Sequence, residues 1–121
     1  MSLRQGEIVI DCADHEAVVP FWVAALGWER RDVNEQYVSV VPPTEERDAD
    51  SGPRALPLLF QKVPEAKVAK NRVHIDFRSG DRPEEVARLV GLGASEGTTL
   101  SLGSLTWTVM TDPEGNEFCV Q

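Results

Sequence analysis

Two stretches of the chain begin alike, and this repetition limits the folds open to it more than any single motif does. Asp14 follows Glu7 by seven positions, and Asp81 follows His74 by seven. Each aspartate stands where a helix N-cap belongs, and a glycine closes the helical pattern 13 residues after Asp14, at Gly27, and 12 residues after Asp81, at Gly93. A shift of about 67 residues superimposes the two starts, as an internal duplication would. Each half then continues through three further strands, so the pattern predicts an α+β fold of two βαβββ modules, at about 5–64 and 71–121, within one domain spanning 1–121. Helices are expected outside, on the convex face of a curved mixed sheet whose other face lines a central cleft.

The second repeat opens on Asn71–Asp81, where apolar and polar side chains alternate from Val73 to Arg78. Such alternation predicts a half-buried strand with Val73, Ile75 and Phe77 in the core and His74, Asp76 and Arg78 on the other face. The opening strand of the first repeat is Glu7–Cys12. Its helix carries Val18, Phe21, Trp22, Ala25 and Leu26 on one stripe, with Pro20 predicting a kink or a late start and His15 an exposed first-turn residue.

Trp28–Asp32 and Gln36–Val41 are expected to pair as a hairpin, and Ala55–Val63 to form a strand with Pro57 at its start or on an edge. Between them, Pro42–Pro53 has no periodicity and reads as a mobile hairpin loop. Pro64–Lys70 reads as the seam between the halves. In the second half, Val86, Leu89 and Val90 are expected to form the buried helix stripe, with Gly91 and Gly93 stopping the helix. Thr98–Ser104 reads as a loop, Leu105–Thr111 as a strand, Asp112–Gly115 as a turn and Asn116–Gln121 as the closing strand.

The formal charge of −8 would repel a phosphate backbone, which argues against nucleic acid or an anionic membrane as partner. No apolar run approaches the roughly 20 residues of a membrane span, and the first residues lack the apolar core of a signal peptide, so a cytoplasmic location is expected. Cys12 and Cys119 have no Cys-x-x-Cys spacing and fit reduced, buried thiols. The chain contains no P-loop, no GxGxxG fingerprint and no Ser-His-Asp arrangement.

Three stretches carry a resemblance across essentially the whole chain. They are Ile10-Asp-Cys-Ala-Asp14 before a helix with Phe-Trp and Leu-Gly-Trp, Asn71-Arg-Val-His-Ile-Asp-Phe77 before the second helix, and Asp112-Pro-Glu-Gly-Asn-Glu-Phe-Cys-Val120 at the end. In these the chain resembles the vicinal oxygen chelate superfamily, the glyoxalase and bleomycin-resistance group. More narrowly it looks like small glyoxalase-like proteins with a Leu-Phe-Gln strand, a Val-Pro-Glu segment and a Lys-Asn-Arg-x-His-x-Asp strand in order, here Leu59 to Asp76.

Members of the superfamily that use a metal place His, Gln or Glu ligands on the first and last strands of each module. The resemblance puts those sites at Glu7 and His74 on the first strands, at Cys119 on the last strand of the second module, and near Leu59 in the first module, with Gln61 two residues on. Glu7 and His74 are the two good ligands of this set. An open site wants about three, so no cofactor and one divalent metal ion both stay open, and Cys119 would suit zinc.

Asp76 could orient the His74 imidazole or raise its pKa, which makes this pair the candidate acid–base group. Tyr37, Gln61, Trp107 and Cys119 are candidate ligand-binding residues, the aromatics supplying area for an organic ring. Two functions follow: a small-molecule-binding protein of the bleomycin-resistance type, or a metal-dependent lyase, isomerase or dioxygenase. The expected partner is a small organic ligand. Modules of this superfamily pair within one chain or between chains, which leaves a homodimer open.

Overall fold

A computed structural model of the chain describes residues 2–3, 5–43 and 55–121. The described residues form two compact units, Met1–Ala66 and Lys67–Gln121, whose boundary falls in the segment read as a seam. Among the described residues, each unit contains one helix and one four-stranded mixed sheet, an α+β plan used twice.

In the first unit, β1 (Ile8–Cys12) is followed by α1 (His15–Leu26), β2 (Glu29–Asp32), β3 (Tyr37–Val41) and β4 (Leu58–Lys62). The sheet order is β1-β4-β3-β2, with β1 parallel to β4 and the other pairs antiparallel. Asp14 caps α1 by accepting the Glu16 N–H at 2.9 Å, and Gly27 ends it in the left-handed region at φ 68°. Left-handed backbone is cheap only without a Cβ, which is why glycine stands there.

Burial alternates along the strands. Val38, Val40, Leu58 and Phe60 are buried with Val18, Val19, Phe21 and Trp22 of α1, and Phe60 has no exposed surface. Phe21 and Trp22 meet edge to face with centroids 5.0 Å apart. Pro57 stands just before the central strand β4 and its carbonyl accepts the Ile8 N–H at 3.0 Å, so it occupies a strand start and not an edge.

Two expectations for this unit are corrected. The helix does not start late at Pro20: the Asp14 cap begins it at His15, and it runs through the exposed proline to Leu26. His15 is buried and not exposed: its Nε2 lies 3.0 Å from the Phe60 carbonyl oxygen, to which an Nε2–H donates. Most of the loop predicted over Pro42–Pro53 lies outside the described residues.

The second unit runs β5 (Asp76–Phe77), α2 (Arg82–Leu92), β6 (Ser95–Leu102), β7 (Leu105–Thr111) and β8 (Glu117–Val120), in sheet order β5-β8-β7-β6. β5 is parallel to β8, and the remaining pairs are antiparallel. Asp81 caps α2 through the Glu84 N–H at 3.1 Å, with proline in the first turn and Gly93 ending the helix at φ 122°. Val86 and Leu89 are buried, as are Met110, Phe118 and Val120 on alternate positions of β7 and β8. The Asp112–Gly115 turn forms as read: Asp112 accepts the N–H groups of Glu114 and Asn116, and its carbonyl accepts that of Gly115.

Four details of the second unit differ from the sequence reading. The strand predicted from Val73 shortens to Asp76–Phe77, and Val73 is 77% exposed. Val90 is 44% exposed, because two stripe positions, Val86 and Leu89, suffice to seat a helix this short. Gly91 lies inside the helix, and Gly93 alone stops it. Of the stretch read as a loop over Thr98–Ser104, Thr98–Leu102 belongs instead to β6, an eight-residue edge strand exposed along its length, and only Gly103 and Ser104 turn into β7. Its Thr and Ser side chains suit a strand that needs no buried face. Its register slips between Glu96 and Thr99, where a Cβ on Gly97 would meet the Val109 carbonyl oxygen at 2.7 Å.

The two caps do equivalent work. Asp81→Ala is predicted to lower stability by about 1 kcal/mol, the usual cost of losing an N-cap. Urea unfolding followed by circular dichroism reads this as a lower midpoint at unchanged slope, and an unchanged midpoint would show that the cap carries no stability here.

Candidate functional site

Strand alternation leaves each sheet with a face turned away from its helix, and the candidate site residues lie on those faces. In the first unit the register sets Val9 opposite Leu59, Leu59 opposite Ser39, and Gln61 opposite both Asp11 and Tyr37. Cross-strand partners share a face. Glu7 and Val9, Tyr37 and Ser39, and Leu59 and Gln61 therefore line one surface, which Val33 and Pro57 complete as an open concavity of ≈ 610 Å³. That volume is within the range of small-molecule sites. The lining is apolar in the middle, from Val9 and Leu59. Its polar groups are a carboxylate, a phenol, a hydroxyl and a primary amide, and Glu7 is its one carboxylate.

In the second unit, Cys119 is the cross-strand partner of both Asp76 and Val109, so these three share the face turned away from α2. Trp107, two residues before Val109, lies on the same face, half-buried and paired with Leu100 of β6. His74 precedes β5, and its Nε2 stands 3.1 Å from Oδ1 of Asp76. The Cys119 thiol is buried, and its sulfur lies within 4.8 Å of the Asp76 carboxylate. Burial pushes the Cys119 pKa up, and the neighbouring Asp76 carboxylate pushes it further, against a smaller opposing effect of Lys70.

One nitrogen, one oxygen and one sulfur donor from His74, Asp76 and Cys119 all lie within 4.8 Å of one another. Those residue types at that spacing fit a divalent cation that takes imidazole, carboxylate and thiolate ligands. They would hold it from adjacent strands, with His74 and Asp76 reachable from solvent at 44% and 50% side-chain exposure.

The segment before β5 is tied down by a residue the sequence reading passed over. Glu117 accepts the Asn71 N–H at 2.8 Å through Oε2, the same oxygen that lies 3.4 Å from the Lys67 ammonium. The Asn71 side-chain amide donates in turn to the Glu117 carbonyl at 3.2 Å. Beyond this strap the β5–β8 ladder takes over, with the Cys119 N–H donating to the Ile75 carbonyl at 3.0 Å and the Gln121 N–H to the Phe77 carbonyl at 2.8 Å. His74 is thus held between a side-chain anchor and a backbone ladder. Burial works against the ionised Glu117 carboxylate, but the Asn71 N–H and the Lys67 ammonium outweigh it and hold the carboxyl below its ordinary value.

The residues expected to act together are distributed between the units. Tyr37, Gln61 and Glu7 share the first unit's concavity, while His74, Asp76, Cys119 and Trp107 share the open face of the second. Gln61 faces the same way as Leu59 without any change of register, since it is two residues along the same strand. Ser39 and Val33 of the concavity carried no separate signal in the sequence. Glu117 could have been noticed as an acidic residue on the closing strand, but its partners at Lys67 and Asn71 are set by tertiary contact.

Glu117→Gln should detach this strap. Because the folded-state carboxyl is lowered, its contribution is complete above the ordinary value of 4.5 and is lost as pH falls through the lowered folded-state value. The wild type should therefore lose stability on acidification by about 1 kcal/mol more than Glu117→Gln does. Thermal unfolding between pH 6 and pH 3 checks this, and parallel pH profiles for the two proteins would contradict it.

Comparison with known proteins agrees with this fold. The model of the glyoxalase-like domain family matches residues 7–121. No curated protein matches the chain. Among solved structures, the fosfomycin resistance protein FosX from Listeria monocytogenes, as a variant complexed with Mn(II) and 1S,2S-dihydroxypropylphosphonic acid, has a TM-score of 0.76 at 13% identity, covering 100% of this chain and 90% of that one. The bleomycin-binding protein of Streptomyces verticillus, complexed with copper(II)-bleomycin, has a TM-score of 0.64 at 17% identity, covering 100% and 98%. A glyoxalase-related enzyme from Fulvimarina pelagi has a TM-score of 0.68 at 15% identity, covering 97% and 86%. Two βαβββ units and a family match over nearly the whole length agree: the chain belongs to the glyoxalase-like domain family of the vicinal oxygen chelate superfamily.

Proposed function

We propose that the protein binds a small organic molecule in the concavity on the open face of its first sheet. The observation that carries this reading is the lining itself: apolar side chains at the centre, one aromatic ring, and a few polar groups that can fix an orientation. Tyr37 offers a ring face, Gln61 an amide that both donates and accepts, and Glu7 a carboxylate.

A single carboxylate without a cationic neighbour in the lining selects for a ligand that is positively charged or rich in donors. The preferred class is then a compact aromatic or heteroaromatic amine, its ring against Tyr37 and its ammonium toward Glu7. The overall charge of −8 favours the encounter with such a cation and disfavours nucleic acid. Trp107 extends the aromatic surface available on the second unit. In this reading the protein acts in the cytoplasm, alone or as a homodimer.

A second reading, metal-assisted lyase, isomerase or dioxygenase chemistry, is favoured by the grouping of His74, Asp76 and Cys119. A bound divalent cation supplies polarisation of substrate oxygens. His74, Asp76 and Cys119 would hold that cation from neighbouring positions at β5 and β8.

Calorimetric titration with phenethylamine and phenylacetate separates the ligand classes. The amine should bind more tightly than the acid. Glu7→Gln should weaken the amine by about 1 kcal/mol and leave the acid unweakened, whereas Tyr37→Ala should weaken the amine by about 1–2 kcal/mol. Equal binding of amine and acid, unmoved by either substitution, would place the ligand elsewhere.

A further inference from the structure

We propose that His74, Asp76 and Cys119 form a thiolate-containing divalent metal site, selective for zinc-class cations over Mn(II) and Mg(II). The proposal rests on the metal-assisted reading and deepens it by naming the donor atoms and the cation they select.

The backbone delivers the three side chains together. Asp76 and Cys119 are direct partners in the parallel β5–β8 register, which puts their side chains on one face of adjacent strands. His74 reaches the Asp76 carboxylate at 3.1 Å. With bonds of about 2.0 Å to nitrogen and oxygen and about 2.3 Å to sulfur, the ligands of one tetrahedral cation stand roughly 3.3–3.6 Å apart. The His74–Asp76 separation of 3.1 Å is slightly inside that spacing, and the widest separation in the group, at most 4.8 Å, needs to close by about an ångström. His74 and Asp76 are half-exposed side chains and can make that movement by small torsional changes.

Charge supports the same assignment. A neutral imidazole, a carboxylate and a thiolate sum to −2 and neutralise a divalent cation. On binding, the thiol proton leaves to solvent, and the cation takes a position between the sulfur and the carboxylate oxygen, which lie within 4.8 Å of each other. Three protein ligands leave one tetrahedral position open for water or substrate.

Selectivity follows from the sulfur. Thiolate is a soft ligand that favours zinc-like ions, whereas Mn(II) and Mg(II) are best served by oxygen donors. Cys119 is buried against the sheet, so the donor that decides selectivity is the least able to move aside.

The full-length chain, stripped of metal, is titrated with Co(II) and read by absorption, and titrated separately with Mn(II) and read by electron paramagnetic resonance. One equivalent of Co(II) should produce an intense near-ultraviolet sulfur-to-cobalt charge-transfer band together with the visible bands of a four-coordinate ion. Zn(II) should bleach both, and Mn(II) should bind at least ~100-fold more weakly than Co(II). Cys119→Ser should abolish the charge-transfer band. Because that substitution touches a buried position, Asp76→Asn provides a second, exposed change, which should keep the band and lower Co(II) affinity by ~10-fold or more. Stoichiometric Mn(II) binding with a Co(II) spectrum lacking the sulfur band would overturn the thiolate site while sparing the metal-assisted reading. Absence of binding by either ion would overturn both.

Discussion

The short parallel pairing of β5 with β8 is the contact on which the second unit's chemistry depends. Two backbone hydrogen bonds, from Cys119 to Ile75 and from Gln121 to Phe77, set the register. That register makes Asp76 the neighbour of Cys119. A slip of one residue would turn Cys119 toward the helix and put Val120 or Phe118 opposite Asp76, a carboxylate against the hydrophobic core. Because β5 has only two residues, the ladder needs help, and the Glu117–Asn71–Lys67 strap supplies it from the preceding segment. On the far side, Ser79 donates through both its N–H and its hydroxyl to the Gln121 carbonyl, at 2.9 and 2.6 Å.

The first unit solves the corresponding problem with length in place of a strap. β1 pairs with β4 over five residues, and the buried Phe60 and His15 lock the helix over that ladder, the imidazole donating to the Phe60 carbonyl. The same parity that buries Leu58 and Phe60 turns Leu59 and Gln61 outward, and cross-strand neighbours bring Tyr37 and Ser39 beside them. One plan therefore yields two differently equipped faces. One is an apolar concavity with a single carboxylate, and the other carries imidazole, carboxylate and thiol side by side. Val9 and Leu59 stand in the first register where Asp76 and Cys119 stand in the second, so the two units share a strand plan without sharing the donors.

The plan was legible in the sequence because its signals are local. Asp14 and Asp81 as caps, Gly27 and Gly93 as helix ends, and the Asp112–Gly115 turn each act within a few residues. The family likeness rests on those same stretches and on the strand that carries His74. What the sequence concealed is set by distant partners. His15 follows its cap as an exposed residue would, yet it is buried, with its imidazole against a carbonyl 45 residues away. Ser95–Leu102 has no hydrophobic alternation because an edge strand with an exposed face needs none. The alternation from Val73 to Arg78 promised a longer strand than forms, since Glu117 takes the Asn71 amide before the ladder begins.

The register of β5 on β8 is the claim on which the site stands, and amide hydrogen exchange followed residue by residue tests it most directly. The account predicts slow exchange at Cys119 and Gln121, whose amides are bonded to Ile75 and Phe77, and fast exchange at Val73, which lies before the strand. Exchange at Cys119 as fast as at Val73 would contradict the pairing and, with it, the placement of Asp76 beside the Cys119 thiol.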